Sequence, residues 1–186
     1  MKRVLLILVS VWCLFPQTVQ ARRFSLGTNI LGYAQLGTFN LDMSYAVSRR
    51  WNLTVGARYN PFTFNENNPE KQFQMRQQSY YLGARLWPWH TWSGWWFAAK
   101  VRYQEYNMGG IRSRETEEGD RVGAGLYAGY SLMLNKHLNL EFGAGMWSGV
   151  SFYTRYGCPS CGLTLSKGRK YFLLPDDLSI SLVFVF

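Results

Sequence analysis

After its first twenty or so residues, the chain alternates hydrophobic and polar positions with a period of two. In Trp51–Asn60, Trp51, Leu53, Val55, Ala57 and Tyr59 share one face, and Asn52, Thr54, Gly56, Arg58 and Asn60 share the other. In Phe39–Val47, Phe39, Leu41, Met43, Tyr45 and Val47 oppose Asn40, Asp42, Ser44 and Ala46. In Leu138–Met146, Leu138, Leu140, Phe142, Ala144 and Met146 oppose Asn139, Glu141, Gly143 and Gly145. The last stretch, Asp177–Phe186, sets Leu178, Ile180, Leu182, Phe184 and Phe186 against Asp177, Ser179 and Ser181. Successive side chains of a strand point to opposite sides of its sheet, so each segment predicts a strand with two unlike faces. Weaker versions run through Phe24–Ile30, Tyr80–Leu86, Phe97–Tyr106 and Val122–Leu132, which brings the expected strands to eight. No amphipathic helix and no Pro/Ser-rich linker stands out, so residues 22–186 read as one all-β domain.

The start of the chain has a different grammar. Lys2 and Arg3, the apolar run Val4–Phe15 and the small-residue site Val19-Gln20-Ala21 have the order of a secretory signal peptide, expected to be cleaved after Ala21. Trp12 precedes Cys13 where lipidation needs a small residue, which argues against a lipid anchor. Removing Lys2 and Arg3 lowers the formal charge from +9 to +7. Beyond the signal, no uncharged apolar run approaches the roughly 18 residues of a spanning helix. A membrane residence would therefore require a closed sheet, which satisfies every backbone N–H and C=O within itself.

Alternation alone does not say which face meets which solvent. A soluble barrel would bury the apolar face, whereas a barrel in lipid would expose it. Asp42, Arg58, Arg85, Lys100, Arg102, Glu141 and Asp177 fall on the polar faces, and an Arg or Lys turned to the bilayer midplane costs roughly 2–4 kcal/mol. Trp87, Trp89, Trp92, Trp95 and Trp96 crowd the link from Leu86 to Phe97, where an interfacial girdle would account for them. The expectation is an eight-stranded, antiparallel, up-and-down transmembrane β-barrel with those seven charges as a paired interior network. Ser48–Arg50, Met133–His137 and Pro88–Gly94 are then short turns on the periplasmic side, with both chain ends. Pro61–Gln78, Gly109–Asp120 and Ser151–Lys170 are long external loops. The final strand, ending on phenylalanine, resembles the C-terminal sorting strand of bacterial outer-membrane barrels, which implies that Phe184 and Phe186 are a membrane-insertion signal read by the barrel-assembly machinery.

Five stretches, Gly27-Thr28-Asn29-Ile30-Leu31, Trp51-Asn52-Leu53, Arg85-Leu86-Trp87, Gly123-Ala124-Gly125 through Gly129-Tyr130-Ser131-Leu132, and Lys170-Tyr171-Phe172, carry a resemblance. The chain resembles the small eight-stranded outer-membrane barrels of Bacteroidetes that are catalogued as a domain of unknown function, and its architecture is similar to that of OmpA and OmpX. The family's Gly-Pro before the last strand is Leu174-Pro175 here. The resemblance brings no catalytic residues. Some members are encoded with fimbrial components, which implies surface assembly.

Candidate chemistry is sparse. Cys158-Pro159-Ser160-Cys161 has the spacing of redox and zinc sites, but it lacks a thioredoxin-like helix and two further ligands. In an exported chain the expected state is a Cys158–Cys161 disulfide stapling the last loop. His90 and His137 are the only histidines, and both fall in predicted turns remote from the outer leaflet, where a lipid-modifying enzyme would need its general base. Gly123, Gly125, Gly129, Gly143 and Gly145 alternate along strands instead of opening a helix, so they make lumen space beside Tyr127 and Trp147, not a nucleotide loop. An eight-stranded barrel is only wide enough for its own side chains, which argues against a channel. Arg155, Lys167, Arg169 and Lys170 make the last loop basic, suited to lipopolysaccharide phosphates, to an acidic partner, or merely to solvent. The expectation is thus a non-enzymatic outer-membrane barrel needing no cofactor or metal. It would be a structural or accessory subunit contacting outer-membrane lipids and another envelope protein, with nucleic acid excluded by export. A surface adhesin or fimbria-associated factor is the alternative, and a lipid-modifying enzyme the more distant one.

Overall fold

The computed structural model describes residues 22–65, 67–68, 71–110, 114–158 and 162–186, with Asp176 and Asp177 described by their backbone alone. The predicted signal, Met1–Ala21, lies outside the described residues. The strands are β1 (Phe24–Asn29), β2 (Phe39–Ala46), β3 (Trp51–Asn60), the two-residue β4 (Thr63–Phe64), β5 (Phe73–Leu86), β6 (Gly94–Gly109), β7 (Thr116–Met133), β8 (Leu138–Tyr156) and β9 (Thr164–Val185). Each pairs antiparallel with its neighbours, β4 adds only to β5, and β3–β5 and β1–β9 contacts close the ring. The result is an eight-stranded up-and-down barrel.

Its two faces follow the period-two pattern. Phe39, Leu41, Met43, Trp51, Leu53, Val55 and Tyr59 are exposed outside, while Asn40, Ser44, Asn52, Thr54 and Asn60 are buried inside. On β3 the outward row runs from Trp51 to Tyr59, about 26 Å along the strand and about 20 Å along an axis tilted by about 40°. Aromatic residues bound this apolar band at both levels: Phe24, Tyr45, Trp51, Trp95, Phe184 and Phe186 at the end holding the short turns, and Phe39, Tyr59, Tyr80 and Tyr103 at the other.

The structure differs from the sequence pattern in three places. The first concerns two of the long loops. Gly109–Asp120 and Ser151–Lys170 are largely strand, because β7, β8 and β9 run on in register through Thr116↔Tyr156 and Arg155↔Ser166. Charged residues on both faces of these extensions erase the alternation, so periodicity could not find them. Second, Ile30 leaves β1 and begins a five-residue helix, α1 (Ile30–Ala34), whose first turn is capped by Asn29 accepting from the Leu31 N–H at 3.1 Å.

Third, β9 reaches back ten residues past Leu174-Pro175. Its register with β8 shifts between Gly143 and Gly145, where Asp177 and Leu178 together face Ala144. Such a bulge exchanges the two faces of a strand. Ser181, Val183 and Val185 point inward below it, whereas above it Phe172 and Leu174 turn inward and Tyr171 and Leu173 outward.

Candidate functional site

The interior is filled in tiers. At the turn end, Trp87, Trp92, Trp96, Ala46, Ala98, Tyr127, Val183 and Val185 form an apolar plug. Here the tryptophan girdle expected of the Leu86–Phe97 link is corrected. Trp89 and Trp95 face out, but Trp87 (0% exposed), Trp92 and Trp96 are buried in the lumen. The link folds back under the barrel because Trp87 N–H donates to the Arg50 carbonyl at 2.8 Å and Thr91 N–H to the Arg49 carbonyl at 3.0 Å. Trp92 adopts a positive φ of 73°, costly for a bulky residue. Its indole N–H donates to the Arg22 carbonyl at 3.1 Å, and its own carbonyl accepts from Asn139 Nδ2 at 2.6 Å and Ser131 Oγ at 3.3 Å.

Above the plug lie the charges. Arg85 and Glu141, from β5 and β8, form a buried ion pair at 2.7 Å, and the Arg85 guanidinium sits 4.3 Å from the Trp96 ring. Lys100 Nζ lies 4.5 Å from the Tyr81 ring and 4.2 Å from that of Tyr127. Arg102 lies 5.1 Å from the Trp147 ring, and the Tyr81 hydroxyl donates to Asp42. Arg58, half-buried, shares the tier beside Asn40. The Asp177 side chain is outside the description. Aromatic faces thus flank the interior cations, a contact the sequence pattern did not supply, since the ring quadrupole attracts a desolvated cation. Tyr81 was the missed member, although it shares Arg85's parity on β5. The cavity left among these groups is about 30 Å³, room for a water or two.

Towards the opposite end, amides take over: Gln104 Nε2 donates to Gln77 Oε1 at 2.6 Å, and Asn60 Nδ2 to Thr38 Oγ1 at 3.0 Å. The topmost tier centres on Glu117, which no strand pattern singled out. It accepts from Lys170 Nζ at 2.6 Å, Tyr106 Oη at 2.8 Å and Arg155 Nη2 at 3.1 Å. Arg121 stacks 3.7 Å from the Tyr106 ring, whose hydroxyl also meets Ser151 Oγ. The expected basic loop is corrected accordingly. Arg155 lies on β8 and Lys167, Arg169 and Lys170 lie on β9; Arg155 and Lys170 are bound to Glu117, while Lys167 and Arg169 stay exposed.

Burial raises the Glu117 carboxyl's pKa, but the three donors outweigh it and bring it down from 4.5 to about 2. A depressed carboxylate stabilises the fold above its unfolded pKa and loses that contribution as pH falls through the folded one. Wild type should therefore exceed Glu117→Gln by about 1–2 kcal/mol at pH 6, allowing for solvent screening of a partly exposed group, and the gap should close between about pH 5 and 2. Urea unfolding of both proteins across that range is the check. A pH-independent gap would mean that the ion pairs contribute nothing.

The remaining candidates sit apart. His90 is exposed in the β5–β6 link, and His137 Nδ1 lies 3.0 Å from the Val185 carbonyl at the same end. Cys158 is disulfide-bonded, and Cys161 lies outside the described residues. Phe184 and Phe186 face out, with Phe186 exchanging backbone hydrogen bonds with Phe24. Among the described residues no group of three or more His, Cys, Asp or Glu could hold a metal ion.

Fold and interior together define a class: a closed antiparallel barrel with an apolar exterior, a polar, side-chain-filled lumen and one plugged end. Residues 5–186 match the family described as protein of unknown function DUF3575, and the chain belongs to that family. No curated protein matches it.

Proposed function

We propose that this barrel resides in a bacterial outer membrane and acts there, without catalysis, as a structural or accessory subunit of an envelope protein complex. The observation that carries this reading is the inversion of a soluble core: a continuous apolar, aromatic-edged exterior around a lumen of paired charges and amides. In lipid this arrangement is the favourable one, while in water the same exterior would expose a whole apolar wall. Arg22 and Phe186, which bound the described barrel, lie with the plug at the short-turn end, which supports a periplasmic assignment for that end. The filled lumen supports neither a channel nor a substrate pocket, and both histidines sit at the end where an outer-leaflet enzyme would have no use for them. Work is thereby left to the outer wall and the rims.

Leu126, 74% exposed at mid-wall on β7, tests the environment. Leu126→Arg should cost about 2–4 kcal/mol in vesicle refolding if the wall meets lipid and close to nothing if it meets water. Partnership is tested by mild-detergent purification from native outer membranes with quantitative mass spectrometry. The expected result is one envelope protein in fixed ratio, and a barrel recovered with lipid alone would overturn the complex. Exposed-loop adhesion is then the second reading, tested by deleting residues within 61–72 and 157–163 and measuring surface binding.

A further inference from the structure

The barrel wall is uneven. β1 spans six residues and gives way to α1, whereas β9 spans twenty-two. β1 pairs with β9 only from Ser181 to Val185, and beyond that the Ile180 N–H is met by the Asn29 side chain. Among the described residues no strand pairs with β9 from Thr164 to Ser179 on that side. Below the bulge, the outward residue Phe186 turns its backbone groups to β1. Handedness couples the two directions, so above the bulge the outward residues Pro175, Leu173, Tyr171, Arg169 and Lys167 direct theirs to the open edge. Pro175, with no N–H to donate, stands where a proline is tolerated.

Helix α1 lies against β9 beside the bulge, where Leu31, Gly32 and Gln35 share a cavity with Pro175 and Leu178. From Lys167 to Leu173, however, no strand among the described residues pairs with the edge on that side. Tyr171 is 83% exposed and Leu173 65%, so the open backbone borders an apolar surface. An open edge beside apolar side chains is a template for another strand, and backbone groups facing lipid would be left unsatisfied. A second copy is a poor fit. Two copies inserted alike are related by rotation about the membrane normal, and strands each tilted by about 40° would then cross at about 80°. Charge selects further, since Lys167 and Arg169 project from the outer part of the same row.

We infer that the open β9 edge receives an extended strand from a different envelope protein, apolar opposite Tyr171 and Leu173 and acidic opposite Lys167 and Arg169. This rests on the accessory-subunit reading and specifies its contact: main-chain hydrogen bonds supply affinity, and the two cations supply register.

The test is amide hydrogen exchange of Leu165–Leu173 in native outer membranes, in proteoliposomes of purified protein and lipid, and in detergent. The expected outcome is exchange slowed at least about 100-fold in native membranes alone. Leu173→Pro should abolish that protection and Lys167→Glu/Arg169→Glu should weaken it, while both variants keep heat-modifiable gel migration as evidence of folding. Should Leu173→Pro fail to fold, the charge-reversal variant decides. Equal protection in proteoliposomes would mean that the chain or the lipid satisfies the edge, and absent protection in native membranes would mean that nothing pairs there. Either result overturns the inference. A complex that co-purifies undiminished with Leu173→Pro would sink the edge assignment yet leave the accessory role standing, whereas a barrel without any partner would sink both.

Discussion

Glu141→Ala should destabilise the barrel by about 3–5 kcal/mol, because it strands Arg85 in the lumen. Arg85 lies at 7% exposure, with Glu141 at 2.7 Å and the Trp96 and Trp87 rings as its other neighbours. Among the described residues, Glu141 Oε1 and Arg85 Nε have no hydrogen-bond partner, so the pair is joined by a single bond and has little to fall back on. Removing either member leaves the other charge desolvated, whereas replacing both with Arg85→Met and Glu141→Leu removes the desolvation penalty along with the attraction. The double variant should recover most of the loss. Urea titration in lipid vesicles, read by heat-modifiable migration, gives all four corners of the cycle. Additive effects would show that the 2.7 Å contact carries no coupling.

Trp87→Ala should cost about 3–5 kcal/mol, the range for emptying a fully buried large aromatic site. Trp87 stands 6.1 Å from Trp92, and its backbone N–H ties the link to Arg50. Trp87→Phe should cost much less, since the indole Nε1 has no partner among the described residues and only volume is lost. The contrast separates a packed plug from a girdle. An interfacial tryptophan would lose about 1 kcal/mol or less on either change, and that result would contradict the buried position. Vesicle-refolding equilibria of the two variants suffice.

Trp87 also marks the limit of what period-two reasoning can reach. Asn52, Thr54 and Ser44 were legible as interior residues because their polarity matched their parity. Arg85, Lys100, Arg102 and Glu141 were legible for the same reason. Their partners were harder. A cation in a desolvated lumen also packs against ring faces, and Tyr81, Tyr127 and Trp147 share the parity of the charges without announcing a role. Glu117 was invisible because it lies on a strand extension where both faces carry polar groups, and Tyr106, inside the expected strand Phe97–Tyr106, carried no signal beyond its parity.

The amino-acid order alone determined the closed eight-stranded barrel, because eight segments alternating in polarity at the pitch of a strand predict an antiparallel sheet with two unlike faces, which closure keeps apart. Three matters awaited the tertiary structure. Tryptophan is at home both in an interface and in a packed lumen, so only the backbone hydrogen bonds of the 87–93 link chose between them. The bulge at Asp177-Leu178 exchanged the faces of β9 and carried the strand past Pro175, a step that a fixed period cannot express. The open edge of β9 depends on where β1 stops, and that is a relation between opposite ends of the chain.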